Sequence, residues 1–274
     1  MLFVIIFAKP RFHYNSYIDF WSLVELSEFE TCWIDEIDLK SSNTYIVTLV
    51  DPKRDKWRLS WWQRIHKTAR LILWDLERPK PRGGIKAHRA FLNRLNFDEV
   101  WHSDPQLAKD LGTRFVVLGS DERLGKIPRW TKPYNFALMA HLNDRRKIVV
   151  DKINEVAPKV APNCYGIERQ MILGAARFGL NIHQDNDLYY EPLRFALFAA
   201  YELPVISEAI YDAFPVHNAL LAYNDYNRLA DRCKFYVEHY IKDEKWIKAH
   251  GLALKRKLCF DYRFRSMVEY AAKN

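Results

Sequence analysis

Glycine is scarce in this chain: nine among 274 residues, against a usual share of about 7%. Neither the dinucleotide fingerprint nor the Walker phosphate loop occurs, so a phosphate would have to be held by side chains and helix N-termini rather than by a Gly-rich loop. Cysteine is also sparse. The four (Cys32, Cys164, Cys233, Cys259) lie far apart and form no CxxC pair, which argues against a disulfide framework and a cysteine-based zinc site. Reduced thiols suit a cytoplasmic chain, in the host cytoplasm if the source is viral. Long apolar runs are missing too, none approaching the roughly 18 residues of a membrane-spanning helix. The opening MLFVIIFA has no basic flank and is short, so it reads as a buried first strand rather than a signal peptide. No internal repeat and no low-complexity tract is present.

What is present is globular in composition, with 49% hydrophobic, 28% charged and 15% aromatic residues. The length suits one large domain or two of ordinary size. Apolar strand-like runs (2–8, 44–50, 71–74, 99–101, 114–118) alternate with helical spacing (17–26, 59–69, 85–95, and a helix near Leu107 capped by Asp104), which predicts a mostly parallel α/β sheet with right-handed crossovers. The segment from Ser120 to Pro133 has Gly125, Pro128 and Pro133 and no periodicity. It divides the chain into expected domains at 1–130 and 131–274, and helical patterns at 225–239, 242–257 and 261–272 close the second.

The stretch 180–208, LNIHQDNDLYYEPLRFALFAAYELPVISE, reads as strand, polar loop, apolar helix and strand, a parallel βαβ unit. Ligands of such sheets bind beyond the carboxyl ends of the strands. Asn181, His183, Asp185 and Asp187 follow the first of these strands, and Ser207 and Glu208 end the second. The helix starting at Glu191 turns its free N–H groups toward the same crevice, a suitable place for a phosphate.

This stretch resembles the nucleotide-sugar-binding half of GT-B glycosyltransferases, in the group-1-like branch that includes spore-maturation-type and phage enzymes. The matching residues are Leu180-Asn181-Ile182-His183, Arg194 and Pro204-Val205-Ile206-Ser207, with YNFALMAHLNDRRKIVVDKI upstream resembling the domain's first strand, turn and Arg-bearing helix. The resemblance covers roughly the second half of the chain. It departs at Glu202, where relatives carry Gly, and at Leu197, where many place a ribose-binding Glu; Glu191 or Glu208 would substitute. It implies two Rossmann-like α/β domains facing across a cleft, and a nucleoside-diphosphate sugar, UDP-glucose for preference, as donor. No further cofactor and no metal is implied for the diphosphate.

Within that reading, Arg145 and Arg146 at a helix start, and Arg194 one turn into an apolar helix, are candidates to offset the charge of the leaving diphosphate. A buried cation such as Arg194 needs an anionic partner, either the diphosphate or Glu191 three residues before it. Asp185-Asn186-Asp187 spells a D-x-D, but three residues are weak grounds for a metal and a polar loop is the simpler reading. For the general base an inverting transfer requires, Asp75 and Asp51 at strand ends lead, with His102 behind them.

The charge is concentrated. Between Lys53 and Arg94 stand 13 Lys and Arg against Asp55, Asp75 and Glu77, a local net of +10 in a chain whose total is +8. Trp57, Trp61, Trp62 and Trp74 are interleaved with these cations, a combination that suits phosphates and stacked bases. Lys53, Arg54, Lys56, Arg58, Arg64, Lys67, Arg78 and Arg82 are the expected DNA contacts. The favoured acceptor is accordingly a 5-hydroxymethylpyrimidine in DNA, as in phage DNA glycosyltransferases, with the base flipped out. The alternatives are a cell-surface polymer or lipid-linked acceptor, a nucleotide-sugar epimerase, and a non-catalytic nucleic-acid-binding module.

Overall fold

Short apolar runs buried on both faces pair best as parallel strands covered by helices. Thr44–Thr48, every residue of which is buried, is such a run. The computed structural model describes residues 4–11, 17–48, 67–79, 83–125, 133–156, 160–161 and 166–274. Among them the chain forms two parallel sheets. The first comprises β1 (Ile5–Lys9), β2 (Glu30–Trp33), β3 (Thr44–Thr48), β4 (Arg70–Trp74), β5 (Glu99–His102) and β6 (Arg114–Phe115) in the order β2-β1-β3-β4-β5-β6. Its described helices are α1 (Ile18–Leu26), α2 (Ile85–Leu92) and α3 (Pro105–Leu111).

The second sheet comprises β7 (Tyr134–Leu138), β8 (Val160–Ala161), β9 (Ala176–Asn181), β10 (Val205–Glu208) and β11 (Leu220–Asn224) in the order β11-β10-β9-β7-β8. Helices α4 (Asp144–Val156), α5 (Gly166–Ala175) and α6 (Pro192–Ala200) connect its strands. The chain closes with α7 (Leu229–Tyr240), α8 (Glu244–Lys255), a π turn at Arg256–Asp261, and α9 (Phe264–Lys273).

Both strand orders reverse direction once, between β1 and β3 and between β7 and β9, and such reversals open a crevice at the carboxyl ends of the strands. The central unit is as expected: β9 and β10 pair in parallel, Val205 opposite Gly179 and Ser207 opposite Asn181. The strand begins earlier than its apolar run suggests, at Ala176, and ends at Asn181, so Ile182 and His183 lie just beyond the ladder. Helix α6 is buried from Phe195 to Ala200. It approaches β9 so closely that a Cβ at Gly179 would stand 2.8 Å from the Phe198 ring.

The final helix packs on the first sheet. Phe264 stacks on Trp74 at 5.8 Å and meets Phe20 edge-on at 5.9 Å. Arg70 and Arg114 donate to the carbonyls of Ala272 and Ala271 at the end of α9, cations placed where the helix dipole is negative. Trp74 is thus a core residue, stacked on Phe264 and bonded through its indole N–H to Ser103 Oγ at 2.8 Å. This corrects its assignment to a base-stacking surface. Of the other tryptophans in the basic block, Trp57, Trp61 and Trp62 lie outside the described residues, as does most of the helix expected over 59–69. The strand expected over 114–118 ends at Phe115. Among the described residues no helix is long and apolar enough to cross a membrane.

Glu202, which replaces the glycine of the resemblance, adopts φ 52°, the left-handed conformation that glycine enters without a Cβ clash and other residues enter at a cost of roughly 1–2 kcal/mol. Its carboxylate accepts from Lys255 Nζ at 3.0 Å. Glu202→Gly and Glu202→Ala both lose that ion pair, so their difference isolates the backbone. Chemical denaturation is expected to show the Gly variant more stable by about 1 kcal/mol. Equal stabilities would mean that the turn relaxes to negative φ.

Candidate functional site

Arginines on two helices and one loop converge where the second sheet reverses. Arg194, one turn into α6, donates Nε–H to Met139 O beyond β7 at 3.2 Å and Nη1–H to Asn181 Oδ1 at the end of β9. Arg146, in the first turn of α4, donates to Ile182 O at 3.0 Å and His141 O at 2.9 Å. Strand-end carbonyls have no further ladder partner, so they are available to guanidiniums. Asn181 is in turn held by Ser207, its Nδ2 donating to Ser207 Oγ at 2.9 Å.

The anion at the centre is Glu191, immediately before α6. Arg194 pairs with it, Arg78 Nη1 lies 3.5 Å from it, and Arg146 Nη2 lies 3.7 Å from it. Burial alone would raise the Glu191 carboxyl, but Arg194, Arg78, His183 and Arg146 outweigh it and hold the group below the usual range. Burial depresses Arg146 to about 10, helped by repulsion from Arg194, Arg78 and Arg145. Three cations thus face one carboxylate, with Asp185 a fifth charge 3.7 Å from Arg78 Nη1.

Arg145 faces elsewhere. It forms a two-pronged pair with Glu208, with one contact at 2.9 Å, donates to His183 O at 2.9 Å, and lies over the Tyr226 ring at 4.1 Å. Glu208 also accepts the His183 backbone N–H. His183 is buried, and burial pulls its imidazole down, keeping the ring neutral at pH 7. Its Nε2–H donates to Ala209 O at 2.8 Å, while Nδ1 is buried without a hydrogen bond. The D-x-D is a turn, Asp185 Oδ1 accepting the Asp187 backbone N–H at 3.0 Å.

A cavity of about 260 Å³ opens beside this cluster. One wall is Met139, Gln184, Tyr190, Glu191 and Arg194; the other is Tyr17, Leu76, Glu77 and Arg78, from the crevice side of the first sheet. Arg78, expected on a DNA-binding face, instead reaches across the cavity and donates to Gln184 Oε1 at 2.8 Å. Its pull toward the cavity is electrostatic, since Asp185 and Glu191 are the nearest anions. Tyr190 presents a buried hydroxyl with no hydrogen bond, a polar group of the kind a ligand satisfies. Glu77, which the sequence pattern did not single out, accepts from the Tyr17 hydroxyl within the cavity wall.

The two leading base candidates fare differently. Asp51 lies outside the described residues. Asp75 is 2% exposed, accepts the Glu77 backbone N–H at 3.0 Å, and pairs with His88 Nε2 at 2.7 Å. That correction follows from register: the β4 exit turns inward at Asp75, and the next outward carboxylate is Glu77. His102 is buried beside it. Lys67 is turned onto the chain itself, pairing with Asp98 at 2.6 Å and donating to Asn96 O. Lys53, Arg54, Lys56, Arg58, Arg64 and Arg82 lie outside the described residues.

No known protein family's sequence profile matches the chain. Over 107 residues, 36% of the chain, it is 27% identical to an uncharacterized protein of Acanthamoeba polyphaga mimivirus, and the match covers 35% of that protein's length. The chain thus spans about a third of that relative.

Asp104 links the two walls: it caps α3 through the Leu107 N–H and accepts the Tyr190 N–H with its other oxygen. Burial pushes its carboxyl up to about 7 despite these N–H donors. Unfolded, it titrates near about 3.9. Between those values the folded chain holds the extra proton, so this group's contribution to stability falls as pH rises through the window and is flat above it. The melting temperature of Asp104→Asn, which retains one acceptor for the Leu107 N–H, is expected to depend less on pH between 5 and 8 than that of the wild type. Identical slopes would assign the dependence to another group.

Proposed function

We propose that this chain transfers a sugar from a nucleoside-diphosphate sugar to a hydroxyl group, its two sheets serving as the Rossmann-like halves of a GT-B-type glycosyltransferase. The observation that carries the reading is the convergence of Arg78, Arg146 and Arg194 on a single carboxylate at a helix start, beside the reversal of the second sheet. Such a constellation suits a diphosphate, whose two charges the guanidiniums and the α6 N-terminus would share. Glu191 is then the internal anion that a diphosphate competes with. As the acceptor oxygen attacks the anomeric carbon, the bond to the diphosphate breaks and the arginines offset the charge that develops on it. Glu77, on the opposite wall, is the carboxylate placed to take the acceptor proton. Asp75 positions it through the Glu77 N–H.

UDP at millimolar concentration is expected to raise the melting temperature, and Arg194→Ala to abolish that shift in a folded protein. Glu191→Gln removes the competing charge. It should lower the melting temperature without ligand and tighten UDP binding on the order of tenfold, equivalent to about 1.4 kcal/mol. No stabilisation by any nucleoside diphosphate, or unchanged affinity in both variants, would overturn the donor site.

For the acceptor, the proposal is a hydroxymethylated pyrimidine in DNA, resting on the basic block. Among its described members, Lys86, Arg89 and Arg94 are exposed on or just after α2. Binding to duplex DNA is expected to weaken steeply with salt, each phosphate contact adding about −0.9 to the slope of log K against log salt. Reversing Lys53, Arg54 and Arg58 to Glu should weaken all sequences alike and leave the UDP shift intact. With UDP-glucose, DNA containing 5-hydroxymethyluracil or 5-hydroxymethylcytosine should yield a base heavier by one hexose. A salt-insensitive interaction and no mass gain with a panel of donors would exclude DNA and leave a polymer or lipid-linked hydroxyl as the acceptor.

A further inference from the structure

Asp75, His88 and His102 bring a carboxylate and two imidazoles together from three elements: the exit of β4, the middle of α2 and the last residue of β5. All three are buried, at 2%, 0% and 1% exposure, and their ligand-capable atoms lie within 4.8 Å of one another. His88 Nε2 is 2.7 Å from Asp75 Oδ2, and His102 Nε2 is 3.6 Å from the same oxygen.

The surroundings of His102 are the informative feature. Its Nδ1 lies 2.8 Å from Thr113 Oγ1, which leaves Nε2 turned toward the Asp75 carboxylate, buried and without a hydrogen bond. A buried polar atom with no partner is costly. A metal cation between Nε2 and the carboxylate would partner both.

We propose that these three residues bind one divalent transition-metal ion, zinc or a metal of like preference. Two imidazoles and a carboxylate suit zinc, cobalt or nickel, whereas calcium and magnesium favour all-oxygen sites. Tetrahedral bonds of about 2.0–2.1 Å put neighbouring ligand atoms about 3.3 Å apart. The observed 2.7 and 3.6 Å bracket that value, so the ion fits with side-chain shifts of a few tenths of an ångström. The Thr113 contact supplies the outer hydrogen bond that orients a metal-bound imidazole. Because Asp75 Oδ1 accepts the Glu77 N–H, the ion would fix the Leu76–Arg78 wall of the cavity. This inference is independent of the glycosyltransferase reading, because binding of the ion needs no nucleotide.

The test is titration of chelator-treated protein with Zn²⁺ by calorimetry and with Co²⁺ by visible absorption. The expected result is one ion per chain, a raised melting temperature, and cobalt bands of low-coordinate intensity. His88→Gln and His102→Gln, checked for folding by circular dichroism, should each weaken binding at least 100-fold. X-ray absorption on the zinc-loaded wild type adds a readout that needs no variant, and should show imidazole nitrogen and oxygen neighbours without sulfur. No uptake, uptake unchanged in both variants, or sulfur in the zinc shell would overturn the site.

Discussion

Arginines taken out of water govern the arrangement of the second sheet. A buried guanidinium has five donors and a full charge, and leaving either unmet costs several kcal/mol. Arg146 and Arg194 meet the requirement in two ways. Their N–H groups go to carbonyls that the strands no longer use, at Met139, His141 and Ile182. Their charge goes to Glu191. Both solutions depend on β7 and β9 being neighbours that end at the same level, which the strand order provides by reversing between them. The cation cluster is therefore a consequence of the sheet topology.

The first sheet contributes the opposite wall, and polar links, some buried and some nearer the surface, hold the two together. Arg169 donates to Asp19 at 2.6 Å, and Tyr189 to Asp110 at 2.8 Å. Asp104 accepts from Tyr190, and Arg78 reaches Gln184. Helix α9 adds apolar cover through Phe264. Charged or hydrogen-bonded groups that are shielded from water resist separation, because parting them exposes unmet partners before solvent enters. A cavity walled in this way is largely formed before any ligand arrives, and preformation lowers the ordering cost of binding.

The central unit was legible because its signals agree: an apolar run, a polar loop, an apolar helix and a β-branched run, in an order that only a parallel βαβ unit satisfies. The Arg194–Glu191 pair and the Asp104 cap were legible for a local reason, being three residues apart. Strand β2 was not, since Glu30 and Thr31 are exposed on an edge and the run has no apolar alternation. Strand β11 was missed as well, its register with β10 shifting near Val205. Asp75 and His88 are thirteen residues apart with a turn and half a helix between them, a pairing that no periodicity announces. Arg78 illustrates a further limit. Charge density along the chain does not say which way a side chain points, and the anions that attract it, Asp185 and Glu191, are more than a hundred residues away.

That limit bears on the basic block as a whole. A run of cations becomes a nucleic-acid face only if the side chains stay in water, where they can shed counterions on meeting phosphates. Lys67, Arg70 and Arg78 do not: they serve Asp98, Glu99 with Ala272 O, and the cavity anions. Internal pairs of this kind keep their charge but have no counterion to release. The proposed DNA contact therefore has to come from Lys86, Arg89 and Arg94 and from the members of the block outside the described residues, a smaller footprint than the sequence total implies. The cavity arginines, by contrast, suit a compact dianion, whose concentrated charge several guanidiniums can share.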